Sequence, residues 1–125
     1  SKKSEAVLAE RSKAVDFTSA ILRDDNDTVS FLFALSTSSR DELKELISLS
    51  LEVLGDIISI KKDINAPLYF FSSRESAREL SSRFNMSRVM GVYSAMLTAL
   101  DDLNANCQQA LTLMSILTNS AKKGN

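Results

Sequence analysis

Apolar positions recur at spacings of three and four residues along most of the chain, the signature of helices with one face turned inward. Over about residues 5–22, Val7, Leu8, Ala14, Val15, Thr18, Ile21 and Leu22 fall on one stripe, with Lys13, Asp16 and Arg23 off it. The run "RDDND", residues 23–27, breaks this pattern with turn-forming and capping side chains. A short, greasy second helix follows, carrying Val29, Phe31, Leu32, Phe33 and Leu35, and "STSS" ends it.

Ser39 and Glu42 have capping-box spacing and open the longest periodic run, to about Lys62. At about 1.5 Å per residue this third helix is about 36 Å long. Its apolar residues, among them Leu43, Leu46, Ile47, Leu49, Val53, Leu54, Ile57 and Ile60, cover more than one stripe, so two faces need partners. The helix is either central or shared with another chain. Gly55 in its middle costs about 1 kcal/mol relative to Ala and suggests a close helix crossing, with a plainly tolerated glycine the alternative.

"DINAPLYFFSS", residues 63–73, holds the single proline and an aromatic cluster and reads as a structured connection. Ser72 and Glu75 repeat the capping-box spacing and start a short helix to about Phe84, which Asn85 stops. A fifth helix runs from Met86 to Leu103, with Val89, Met90, Tyr93, Met96, Leu97, Leu100 and Leu103 as its inward positions. After Asn104 and Asn106, either of which supplies a cap, a last helix takes Ala110, Leu111, Leu113, Met114 and Leu117.

Composition supports this reading. Three glycines and one proline in 125 residues leave little to build β-turns from. The expected fold is an all-α bundle of five to six helices in a single domain over residues 1–125. A chain this long buries about two thirds of its unfolded surface and needs no metal or disulfide staple. Lys plus Arg number 15 against 16 for Asp plus Glu, so there is no global cationic footprint for nucleic acid or an anionic bilayer. A lone Cys107 and the lack of any signal peptide or long apolar run point to a reducing cytoplasm and no membrane partner. The missing initiator Met suggests a piece of a longer chain.

The chemistry on offer is sparse. With no His and one Cys, imidazole catalysis and the usual zinc sites are excluded, and no glycine-rich phosphate loop is present. Asp24 with Asp25, and Asp101 with Asp102, are adjacent pairs whose side chains diverge on a helix instead of converging on a metal or a substrate. Cys107 reads as a structural thiol, and Met86, Met90, Met96 and Met114 as gap fillers. No catalytic, cofactor-binding or metal-binding residue is assigned, and no cofactor is expected.

Residues 75–97, "ESARELSSRFNMSRVMGVYSAML", have the cadence of a DNA-binding helix-turn-helix. Their recognition-helix position offers Arg88 amid apolar bulk, while Arg74, Arg78, Arg83 and Arg88 form at most a modest basic ridge. A helix-turn-helix DNA reader and a helical adaptor that binds a peptide in a groove are the alternatives to an assembly role.

The stretch "LDDLNANCQQALTLMSIL", residues 100–117, resembles the closing segment of bacterial DNA polymerase III delta prime subunits. In these an Asn-x-Asn turn precedes an A-L-x-L helix, matched by Asn104, Asn106, Ala110, Leu111 and Leu113. The preceding order is similar too: a long helix ending in "LGDIISIKK", a loop, then a short and a long helix. The resemblance implies a non-catalytic C-terminal collar domain of a clamp loader. In that family, AAA+ regions upstream use ATP to open the sliding clamp on primed DNA, while the helical collars hold the pentamer together. Implied partners are the gamma/tau and delta subunits, with no specific DNA contact by this domain. Surplus apolar surface agrees with such a role. Leu49, Val53 and Ile60 on the third helix, with Leu113 and Ile116 on the last, are the expected interface contacts, chosen because they lie off the main stripes.

Overall fold

A computed structural model describes the backbone of residues 2–124 and the side chains of residues 2–121. The described residues form six helices and no strand: α1 (Lys2–Arg23), α2 (Asn26–Leu35), α3 (Arg40–Lys62), α4 (Arg74–Ser82), α5 (Met86–Asn104) and α6 (Gln109–Gly124). The all-α bundle read from periodicity is therefore the observed architecture.

Local side-chain chemistry sets most boundaries. Asp25 caps α2, and Thr28 completes a reciprocal capping box. Ser39 accepts from the Glu42 N–H while Glu42 accepts from the Ser39 N–H, as the spacing requires. Ser73, one residue later than expected, caps α4 through the Ser76 N–H. Asn85 does more than stop α4: its side chain accepts from the Arg88 N–H at 2.8 Å and so starts α5.

The Asn-x-Asn turn also has a different job from the one expected. Asn104 is the last residue of α5, and Asn106 adopts a left-handed conformation with φ of 62°. The Asn106 N–H donates to the Leu103 carbonyl and the Cys107 N–H to the Asp102 carbonyl, which together close α5 as a Schellman motif. Asn is one of few residues that tolerates this backbone conformation. The turn terminates α5 and does not cap α6.

α3 is the central element, packing on α1, α4 and α5. Its two apolar faces are both covered by the same chain: Leu43, Ile47, Val53, Leu54 and Ile57 are all essentially inaccessible to solvent. α5 and α6 share the most extensive helix–helix contact, and α2 bridges α1 and α6. Phe17, on α1, is fully buried and stacks toward Phe31 of α2, with ring centroids 6.1 Å apart. Gly55 is not at a close crossing, because a Cβ built there meets nothing within 4 Å.

Several inward assignments are reversed. Val7 and Leu8 are exposed because the first turns of α1, residues 2–10, extend past the bundle and touch no other helix face closely enough to be covered. On α2, Val29 and Phe33 face out while Leu32 and Leu35 face in. On α5, Val92, Ala95 and Ala99 take the inward positions expected of Met90 and Leu97. On α6, Ala110, Leu111 and Met114 are exposed, whereas Leu113 and Ile116 are buried. Among the described residues no helix is long and apolar enough to cross a membrane.

Candidate functional site

Four of the five residues expected at an interface are buried within the chain itself. Val53 and Ile116 are 0% exposed and Leu113 is 1% exposed, all three inside the main core. Ile60 is buried as well. They lie off the main stripes because α3 and α6 each bury a wide sector against more than one neighbour, not because that sector is left for another chain. Leu49 alone of the five is half-buried, at the edge of a shallow groove with Glu10, Lys13 and Glu45.

Several of the basic residues are engaged within the fold. Arg88 donates from Nη2 to the Ile21 carbonyl at 2.6 Å, from Nε to the Leu22 carbonyl at 3.1 Å and from Nη1 to the Ser120 carbonyl at 3.1 Å. Two of these are the unpaired carbonyls at the end of α1, where a cation also meets the negative end of the helix dipole. Burial pulls the Arg88 guanidinium below its usual value, with the Asp24 carboxylate acting in the opposite direction. Arg40 closes the end of α5 in the same way, donating to the Leu103 and Cys107 carbonyls. Lys61 donates to the Ser81 carbonyl at the end of α4. Arg74 donates to the Ile64 carbonyl, and Arg83 pairs with Glu79 four residues earlier on an exposed face. The side chain on which a helix-turn-helix reading depends, Arg88, is thus directed at main-chain carbonyls inside the bundle.

The connection between α3 and α4 is pinned from below. Asp56, 2% exposed, accepts from the backbone N–H groups of Tyr69, Phe70 and Phe71 at 2.9, 2.8 and 2.9 Å. Arg11 of α1 donates to the Phe70 carbonyl and lies over the Phe70 ring, 4.1 Å from its centroid. Phe70 is buried and Phe71 packs edge-on against it, but Tyr69 between α3 and solvent stays 81% exposed. A groove of about 320 Å³ lies beside it, between Glu52, Gly55 and Asp56 of α3, Tyr69 of the loop and Tyr93 of α5. No signal in the local sequence marks Asp56 as an anchor; its role follows from the loop folding back onto α3.

The outward sides of α2 and α6 have an unusual character. The sequence carries no charge between Asp27 and Arg40, nor between Asp102 and Lys122. The two helices pack against each other, and Gln109 at the start of α6 donates to the Ser38 carbonyl just beyond α2. On their exposed sides stand Phe33, 78% accessible, and Leu111, 70% accessible, with Val29 and Met114. Large apolar side chains on the charge-free stretches of two touching helices are the kind of surface that a partner covers. Leu111 belongs to the A-L-x-L pattern, so that pattern supplies both a core residue, Leu113, and a surface residue.

Cys107 is exposed and free, and among the described residues no group of three or more His, Cys, Asp or Glu side chains is arranged to hold a metal ion. Compared with protein-family models, with curated proteins and with solved structures, the chain matches none.

Proposed function

We propose that this chain is a non-catalytic assembly domain, the helical collar of a DNA polymerase III clamp-loader subunit of the delta prime type. In this reading it joins sister subunits, gamma/tau and delta, into the ring that loads the sliding clamp. The observation that supports it is the pair of exposed apolar side chains, Phe33 and Leu111, on charge-free stretches of α2 and α6. The likeness of residues 100–117 to the delta prime closing segment is the ground for choosing this assembly, and the exposed face is the ground for choosing this surface. Covering such side chains contributes about 25 cal/mol per Å² of apolar area removed from water, and uncharged neighbours carry no desolvation penalty of the kind a buried charge would impose.

Light scattering coupled to size exclusion tests this directly. The chain mixed with gamma/tau and delta subunits is expected to elute in a complex, and Phe33→Asp with Leu111→Asp is expected to abolish it without unfolding the domain. Elution as an unchanged monomer beside those subunits would overturn the reading.

A further inference from the structure

The groove beside Tyr69 has features that the assembly reading does not use. Its floor is open because Gly55 has no side chain and a Cβ there would meet nothing within 4 Å. That glycine weakens the longest helix without serving its packing. One wall is Tyr69, 81% exposed yet held on a backbone that Asp56 fixes at three consecutive N–H groups. An aromatic side chain displayed on an immobilised loop loses little further freedom when a partner meets it. Tyr93, half-buried on α5, also lines the groove.

The charge of the groove is one-sided. Glu52 and Asp56 line it one helical turn apart, and no Lys or Arg does. Asp56 is buried, its hydrogen-bond donors are neutral, and among the described residues no cation lies within 4.0 Å of it. Its Oδ1 accepts one N–H and its Oδ2 two, so Oδ1 keeps a free lone pair. Two carboxylates with two aromatic faces match a planar guanidinium better than an ammonium, because guanidinium stacks on rings and forks onto carboxylates.

We propose that the groove formed by Glu52, Gly55, Asp56, Tyr69 and Tyr93 receives an arginine side chain presented by a partner protein. The guanidinium lies against the tyrosine rings over Gly55, directed at the exposed Glu52, with the buried Asp56 adding its negative charge. This site is separate from the α2 and α6 surface and does not depend on what covers that surface.

Nα-acetyl-arginine N-methylamide, titrated into the isotope-labelled chain, is the probe. It is expected to shift the backbone amides of Gly55 and Tyr69 saturably. The citrulline analogue, equal in shape but uncharged, is expected to bind about tenfold more weakly, the loss of one desolvated cation–π and charge contact. Gly55→Met fills the floor with a good helix former and is expected to abolish the shifts while circular dichroism and thermal stability hold. Glu52→Gln is expected to weaken binding, and the Phe33→Asp, Leu111→Asp variant to bind the probe as the parent does. Shifts absent from residues 55 and 69, equal binding of citrulline, or undiminished binding to folded Gly55→Met would each overturn the proposal.

Discussion

Arg88 and Ile21, 67 positions apart in the chain, are joined by a hydrogen bond of 2.6 Å from the guanidinium to the main-chain carbonyl. The contact docks the start of α5 on the end of α1, and the same side chain reaches Ser120 of α6. Arg88→Met keeps the aliphatic stem but leaves three carbonyls without their donor. A loss of about 2–3 kcal/mol is expected, read as a lower urea midpoint with an unchanged slope. Arg88→Lys is expected to recover less than half of it, because an ammonium cannot fork across three acceptors.

Asp56 and the loop it holds give a second prediction. Asp56→Ala strands three N–H groups and is expected to cost about 3 kcal/mol. The amide protons of Tyr69, Phe70 and Phe71 are expected to exchange with solvent far faster than in the parent, while those in the middle of α5 change only as far as global stability falls.

The inward and outward apolar residues separate cleanly in a stability series. Val53→Ala, Leu113→Ala and Ile116→Ala are each expected to cost about 2–4 kcal/mol, as large-to-small changes in a packed core. Phe33→Asp and Leu111→Asp are expected to alter stability by less than about 0.5 kcal/mol. Thermal unfolding of the purified domain distinguishes the two groups.

Two substitutions are expected to raise stability. Gly55→Ala removes a helix-interior glycine where the added methyl meets nothing within 4 Å, a gain of about 1 kcal/mol. The Thr18 hydroxyl is buried with no hydrogen-bond partner among the described residues, so Thr18→Val is expected to contribute a further gain of about 1 kcal/mol by removing an unsatisfied group. The two sites share no contact requirement, and their effects on unfolding midpoint should add.

Acid sensitivity follows from the caps. The Arg23 side chain, donating to Asp25, holds its carboxyl below the usual carboxylate value, and the Ser39 backbone N–H does the same for Glu42. Both groups have lower values folded than unfolded. Their stabilising contribution is therefore present above the unfolded values and is lost as pH falls through the folded ones. Denaturation at a series of pH values should show stability declining below about pH 4.5. Asp25→Asn with Glu42→Gln, which keeps acceptors at both caps, should decline less steeply.

What the linear sequence determined about this protein is its helices and where most of them begin. Periodicity at three and four residues and the side chains at Asp25, Ser39 and Asn85 act within one or two turns, so their effect is legible without the fold. Tertiary structure alone decided which side of α6 faces inward. Residues 110, 111, 113, 114, 116 and 117 are apolar around most of the circumference of α6, and such a helix has no polar face to orient it. Its neighbours α5 and α2 select Leu113 and Ile116 for the core and leave Leu111 outside. The same holds for Arg88 at the carbonyls of α1 and for Asp56 beneath Tyr69, Phe70 and Phe71. Those pairings exist because helices distant in sequence are brought side by side, and no local spacing encodes them.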